Sequence, residues 1–154
     1  MKAYLVVRIK GQADVPHWAN TTLNLLKLEK KYRATIIPAK ENTAGMLKKI
    51  QHFISWQEID APTTKKLLDK KGRVSGYKKI TSKDISKTGF KTVDELAASL
   101  SEGKVGLSKI KPLKPWFALS PPKHGFKRST KRLYSQKGIL GHNKDLTTLI
   151  ERMM

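Results

Sequence analysis

Residues 2–9 read Lys2-Ala3-Tyr4-Leu5-Val6-Val7-Arg8-Ile9, and their alternation decides the fold. Successive side chains of an extended chain point to opposite sides, so Ala3, Leu5, Val7 and Ile9 share one face and Tyr4, Val6 and Arg8 the other. That period predicts a half-buried strand, which Gly11 ends. Asp14 is then placed to cap a helix whose apolar positions Val15, Ala19, Leu23 and Leu26 recur at helical spacing. Pro16 fits only its first turn, where a missing N–H costs nothing. A second strand reads from Tyr32 to Ile37 and is closed by Pro38. Thr43 opens a second helix with Met46, Leu47 and Ile50 as its stripe. Phe53 to Ile59 makes a third strand, with Ser55 and Gln57 interrupting one face. Residues 1–60 therefore predict β-α-β-α-β, a small α+β sandwich with its helices packed on one sheet face.

Beyond Asp60 the pattern changes. Asp60 caps a helix through Pro62, Lys65, Leu67 and Leu68, and Gly72 ends it. Residues 73–91 are basic and turn-rich without a clear period. Thr92 and Glu95 form a capping box ahead of Leu96, Ala97 and Leu100, with Gly103 as the stop. Residues 111–143, rich in Pro, Gly, Lys and Arg, read as an ordered loop or arm. Leu146, Leu149, Ile150 and Met153 mark a short C-terminal amphipathic helix capped by Asn143.

Charge narrows the function. Thirty-two Lys and Arg face twelve Asp and Glu, a formal charge of +20 in 154 residues. Such a surplus repels itself in a compact chain and seeks a polyanion, of which nucleic acid is the leading candidate. The distribution is uneven: ten basic and five acidic side chains in residues 1–60, twelve and five in 61–110, and ten and two in 111–154. The densest grip is therefore expected in the last third. No apolar run reaches the length of a membrane span, and the strand-like run after Met1-Lys2 is too short for a secretory segment, so no membrane partner is expected. The absence of cysteine excludes disulfides, thiolate nucleophiles and cysteine-ligated metal, and fits a cytoplasmic protein.

The tightest cluster is Lys123-His124-Gly125-Phe126-Lys127-Arg128-Ser129-Thr130-Lys131-Arg132. It holds no acid, and Pro121-Pro122 and Gly125 give it a stiff entry and a sharp turn. Lys123, His124, Lys127, Arg128, Lys131 and Arg132 are its candidate RNA contacts, since Arg forks take phosphate oxygens bidentately and Lys acts as a mobile point charge. The competing reading is a solvated basic loop. Lys31 (beside Lys30), Lys48 and Lys49 are further candidates, with a solvated helix or loop face as the alternative. Arg8 and Arg33 lie on predicted strands; either they set a basic sheet surface against RNA or they keep an exposed face soluble. Trp18 and Trp56 are expected in the core, and Trp116 is expected to lock the arm to the body.

Catalysis is not expected. His17, His52, His124 and His142 show no metal-ligand spacing, and no phosphate loop, nucleophile elbow or Asp-x-Asp pair occurs. Asp94 and Glu95 are explained by a helix start. No cofactor or small-molecule substrate is implied.

Two groups of segments carry a family resemblance. The first is Tyr4-Leu5-Val6-Val7-Arg8-Ile9, then Glu41-Asn42-Thr43-Ala44-Gly45-Met46-Leu47-Lys48-Lys49-Ile50, then Trp56-Gln57-Glu58-Ile59-Asp60. The second is Pro115-Trp116-Phe117-Ala118-Leu119-Ser120-Pro121-Pro122, followed by the basic cluster and Gly141-His142-Asn143. In order, spacing and length the chain resembles the archaeal form of the large-subunit ribosomal protein L-thirty family, whose eukaryotic counterparts are called L-seven. The resemblance divides the chain into an L-thirty-type core at 1–60 and an archaeal and eukaryotic-type extension at 61–154, with its basic arm and C-terminal helix. It implies a ferredoxin-like-related three-stranded antiparallel sheet in order 3-1-2. It also implies a structural place in the cytoplasmic large subunit, bound to large-subunit ribosomal RNA, near the 5S RNA and neighbouring ribosomal proteins. Many members carry arginine before the Gly-Met pair; Ala44 stands there in this chain and withdraws that RNA contact. The alternatives are an RNA-binding regulator or chaperone acting off the ribosome, and a nuclease dependent on His124.

Overall fold

β1 (Ala3–Arg8) is paired along both edges, which makes it an inner strand, and both of its faces are buried. The computed structural model describes residues 2–154. β1 pairs antiparallel with β2 (Arg33–Pro38), Leu5 opposite Ile36, and with β3 (Ile54–Glu58), Val6 opposite Trp56. The expected 3-1-2 order is present as the centre of the sheet. One face is closed by α1 (His17–Leu25) and α2 (Glu41–Lys49): Val6, Ala19, Leu23, Leu47, Ile54 and Trp56 form a single apolar cluster.

The opposite face belongs to the extension. α3 (Ala61–Lys71), α5 (Val93–Ser101) and α6 (Leu146–Met153) pack Leu67, Leu100 and Ile150 with Leu5, Val7, Ala34 and Ile36. Helices thus cover both sheet faces rather than one. The physical reason lies in β1 itself, whose Leu5/Val7 face and Tyr4/Val6 face both carry apolar side chains that need cover.

The sheet is also larger than three strands. Residues 111–143, expected as a loop or arm, contribute β6 (Phe117–Ala118), β7 (Ser129–Leu133) and β8 (Gly138–His142). The full order is β6-β2-β1-β3-β8-β7. β6 runs antiparallel along β2, and β8 runs parallel to β3, with Ser55 opposite Gly141. A Cβ at Gly138 would collide with the Arg132 carbonyl, so the turn between β7 and β8 accepts glycine alone. These strands answer the unpaired N–H and C=O groups on the edges of β2 and β3. Backbone demand, not side-chain alternation, creates them.

Smaller departures have local causes. Pro16, in an extended conformation, takes the place before α1, and Asp14 turns off in the left-handed region (φ 57°) without capping it. α2 begins at Glu41, not at Thr43. The turn-rich stretch 73–91 holds a two-residue hairpin, β4 (Arg73–Val74) with β5 (Lys78–Lys79), and the short helix α4 (Ser82–Lys87). Gln57, which interrupts the apolar pattern of β3, accepts from the Thr147 N–H and hydroxyl, both at 3.1 Å, and so closes the first turn of α6. Trp56 is buried as expected, whereas Trp18 is 47 % exposed on the outer side of α1, beneath the Lys49 ammonium at 5.5 Å.

Candidate nucleic-acid interface

Antiparallel pairing determines which basic residues meet. β1 leaves the sheet where β2 and β3 enter it, with Arg8 opposite Ile54 and Val7 opposite Ala34. The loop after β1, the loop before β2, the end of α2 and the start of α1 therefore share one end of the molecule. Lys10, Lys31, Lys48 and Lys49 come together there from distant places in the chain. Lys31, Lys48 and Lys49 are exposed and Lys10 is half-buried. None of the four has a carboxylate within salt-bridge distance among the described residues. Backbone bonds hold this end in shape: Ile9 N–H and Lys10 N–H both donate to the Phe53 carbonyl, and Tyr32 N–H donates to the Arg8 carbonyl at 2.8 Å.

Arg8 is no part of its surface. The side chain is fully buried, and its fork donates to three backbone carbonyls: Nε to Lys10 at 2.9 Å, Nη1 to Leu28 at 2.7 Å and Nη2 to Gly11 at 3.0 Å. Burial pushes its pKa below the ordinary arginine value, though a guanidinium stays charged at any physiological pH. The expected basic sheet surface does not form, because helices occupy both faces. Arg8 instead clamps the loop after β1 to the loop after α1, a task that suits three donors aimed in different directions by one rigid fork.

Arg33 is also withdrawn from the surface, its side chain only 13 % exposed. Its guanidinium lies 3.9 Å from the centre of the Trp116 ring and 3.4 Å from Glu29 Oε2. Trp116 thereby fastens the segment before β6 to β2, the locking role expected of it. Thr35 adds a bond from its hydroxyl to the Pro115 carbonyl at 3.0 Å.

The 123–132 cluster is held rather than loose. Lys123 N–H donates to the Arg152 carbonyl at 3.0 Å, and Arg152 Nη1 donates to the carbonyls of Lys123 (3.3 Å) and Gly125 (3.0 Å). His124 and Gly125 turn the chain in the left-handed region, φ 63° and 70°. Phe126 is anchored against the core, its ring 6.2 Å from that of Tyr32. Lys123, His124, Lys127, Arg128, Lys131 and Arg132 are all exposed. Of these only Arg128 meets a carboxylate among the described residues, Asp145 at 3.5 Å, and its guanidinium lies 4.8 Å from the Tyr134 ring.

The Phe126–Tyr32 contact joins the cluster to the lysine-bearing end of the sheet. An open groove of about 530 Å³ lies between them, with Lys10 and Lys31 on one wall and Lys131 on the other. Lys10 and Tyr32 were not singled out from sequence. The signal that finds them is the register, which sets residues 10, 32 and 53 at one end of three neighbouring strands. By contrast the α3 lysines are partly neutralised: Lys65 meets Asp94 at 2.6 Å and Lys66 meets Glu151 at 2.8 Å. The Asp94 carboxylate holds the Lys65 pKa above its ordinary value, and Lys66 holds Glu151 below its own. Among the described residues no His, Asp or Glu group is arranged to hold a metal ion, and no helix is long and apolar enough to cross a membrane.

These features define a class: an α/β/α sandwich with one cationic, carboxylate-poor end built jointly by the first sixty residues and a rigid basic loop. Residues 4–54 match the model of the family described as "Ribosomal protein L30p/L7e". The chain is 63 % identical over 152 residues to the "Large ribosomal subunit protein uL30" of Nitrosopumilus maritimus, covering 99 % of this chain and 98 % of that one. The protein of the same name from Cenarchaeum symbiosum is 61 % identical over 152 residues, with the same coverage. That of Desulfurococcus amylolyticus is 41 % identical over 161 residues, covering 100 % of this chain and 99 % of its own. The chain belongs to the ribosomal protein L30p/L7e family, in its archaeal form. That family is structural and not enzymatic, which agrees with the absence of catalytic motifs from the sequence.

Proposed function

We propose that this protein is a structural constituent of the large ribosomal subunit in the cytoplasm, binding large-subunit ribosomal RNA through the basic loop and the lysine-bearing end of the sheet. The observation that carries this reading is likeness to uL30 proteins along nearly the whole chain, 63 % identical in one relative. The cationic end supports it, because cations without carboxylate partners are already free to neutralise phosphates. Affinity comes mainly from counterion release, and selectivity from the shape of folded RNA against a rigid surface. From what the resemblance implies, we further infer a position close to the 5S RNA and to neighbouring ribosomal proteins, holding RNA domains together.

Filter binding to fragments of large-subunit RNA tests the reading. With roughly six to ten phosphates engaged, affinity should fall about a thousandfold or more between 50 and 200 mM salt, by the scaling for duplex DNA. A slope near zero contradicts it. Co-sedimentation with large subunits through high salt separates a constituent, which stays bound, from a regulator, which washes off. Crosslinks to 5S RNA within isolated subunits test the finer placement.

A further inference from the structure

The groove between the loop after β1 and the basic cluster has a composition that duplex phosphate binding alone does not require. Three cations stand around it, Lys10, Lys31 and Lys131, and no carboxylate lines it. Tyr32 and Phe126 also line it, with ring centres 6.2 Å apart and planes inclined by 32°. The Lys31 ammonium lies 4.9 Å from the centre of the Tyr32 ring. A surface serving only to neutralise an RNA helix needs lysines, not aromatic side chains among them. Cations flanking aromatic rings are the makings of a site for an unstacked base and its adjoining phosphates.

We propose that this groove takes one unpaired nucleotide of a folded RNA, its base against the Tyr32–Phe126 pair and its flanking phosphates on Lys10, Lys31 and Lys131. The proposal rests on the RNA-binding reading above and names the element of RNA structure that is recognised. The Lys31 ammonium moves from the Tyr32 ring to a phosphate as the base arrives. Its long, exposed side chain permits this, whereas Phe126 is fixed by the core and stays in place. The walls come from opposite halves of the chain, so the site exists only after the extension has docked. Arg8 acts on it as a positioning residue, since its bonds to the Lys10 and Gly11 carbonyls shape one wall.

The test uses the full chain and deproteinised large-subunit ribosomal RNA. The complex is irradiated at short wavelength to form zero-length crosslinks, and peptide–nucleotide adducts are mapped by mass spectrometry. The expected result is an adduct on Tyr32 or Phe126 to a nucleotide that chemical probing finds unpaired in the free RNA. Phe126→Leu, which keeps an apolar side chain at the anchor, should lower affinity about tenfold, the loss of one stacked base. Changing Lys10, Lys31 and Lys131 together to Ala should reduce the salt slope by roughly two. RNA that binds tightly while adducts fall elsewhere or are absent, with Phe126→Leu binding like the parent, overturns the groove and leaves RNA binding intact. Failure of the parent chain to bind RNA at low salt overturns the broader reading as well.

Discussion

Replacing Arg8 by Ala removes three donors from carbonyls at Lys10, Gly11 and Leu28, two of which hold the loop beside the groove. A buried carbonyl left unpaired costs about 1–3 kcal/mol, and of the three only the Leu28 bond is fully buried, so the loss should be about 2 kcal/mol or more, read as a lower midpoint in urea unfolding. Arg8→Lys should recover only part of it, because one ammonium cannot reproduce the fork. Trp18→Ala should change stability far less than Trp56→Ala, which opens a core cavity and should cost about 3–5 kcal/mol in the same assay. The alternation of residues 2–9 places Arg8 on the strand correctly and still misreads its fate. Its partners are main-chain oxygens from two loops, one of them twenty residues away, and no side-chain pattern announces them. Trp18 is misread for a related reason: helical spacing shows that α1 has an apolar face, but not that Ala19 and Leu23 fill it without the tryptophan.

The helix announced by the Thr92 cap is well read, and the strands β6 and β8, made by edge pairing, are not. Thr92 accepts from the Glu95 N–H at 3.2 Å, and the Glu95 carboxylate turns back to the Lys91 N–H at 3.0 Å. Thr92→Ala should therefore cost about 1 kcal/mol, measured by thermal unfolding, with exchange of the α5 amides speeding up. α4 has its own box, in which the Thr81 hydroxyl and then its N–H hold the Asp84 carboxyl below the usual range. Since the folded value is the lower one, Asp84's contribution is complete above its unfolded pKa and disappears as pH falls through the folded one. Acid titration followed by amide shifts should show the start of α4 fraying in that window, and Thr81→Ala should move the Asp84 titration upward. β6 and β8 carry no comparable local mark. Two residues in one case and a Gly-Ile-Leu-Gly-His run in the other acquire their form only from the open edges they meet.

Across the molecule, a charge of +20 is divided between cations already satisfied and cations held ready. Changing Lys127, Arg128, Lys131 and Arg132 together to Ala should weaken RNA binding more than the same change at Lys65, Lys66, Lys70 and Lys71, whose helix is partly neutralised by Asp94 and Glu151. Salt titration of both variants gives the comparison, with the larger loss of slope expected for the first. The excess of charge in the last third is plain from composition, and so is the partner class that such a surface suits, a polyanion. That residues 31 and 131 would face each other across one cleft follows only from the register of β1 with β2 and the docking of Phe126. The way the sheet is completed has a bearing on how the protein is made. β6 and β8 are translated well after the strands they cover, so a nascent chain carries raw edges on β2 and β3 and a bare patch of Leu5, Val7, Ala34 and Ile36 until residues 117–142 have been made. Translation that stops short of them would release a half-sheet whose open edges and apolar patch favour association with other chains.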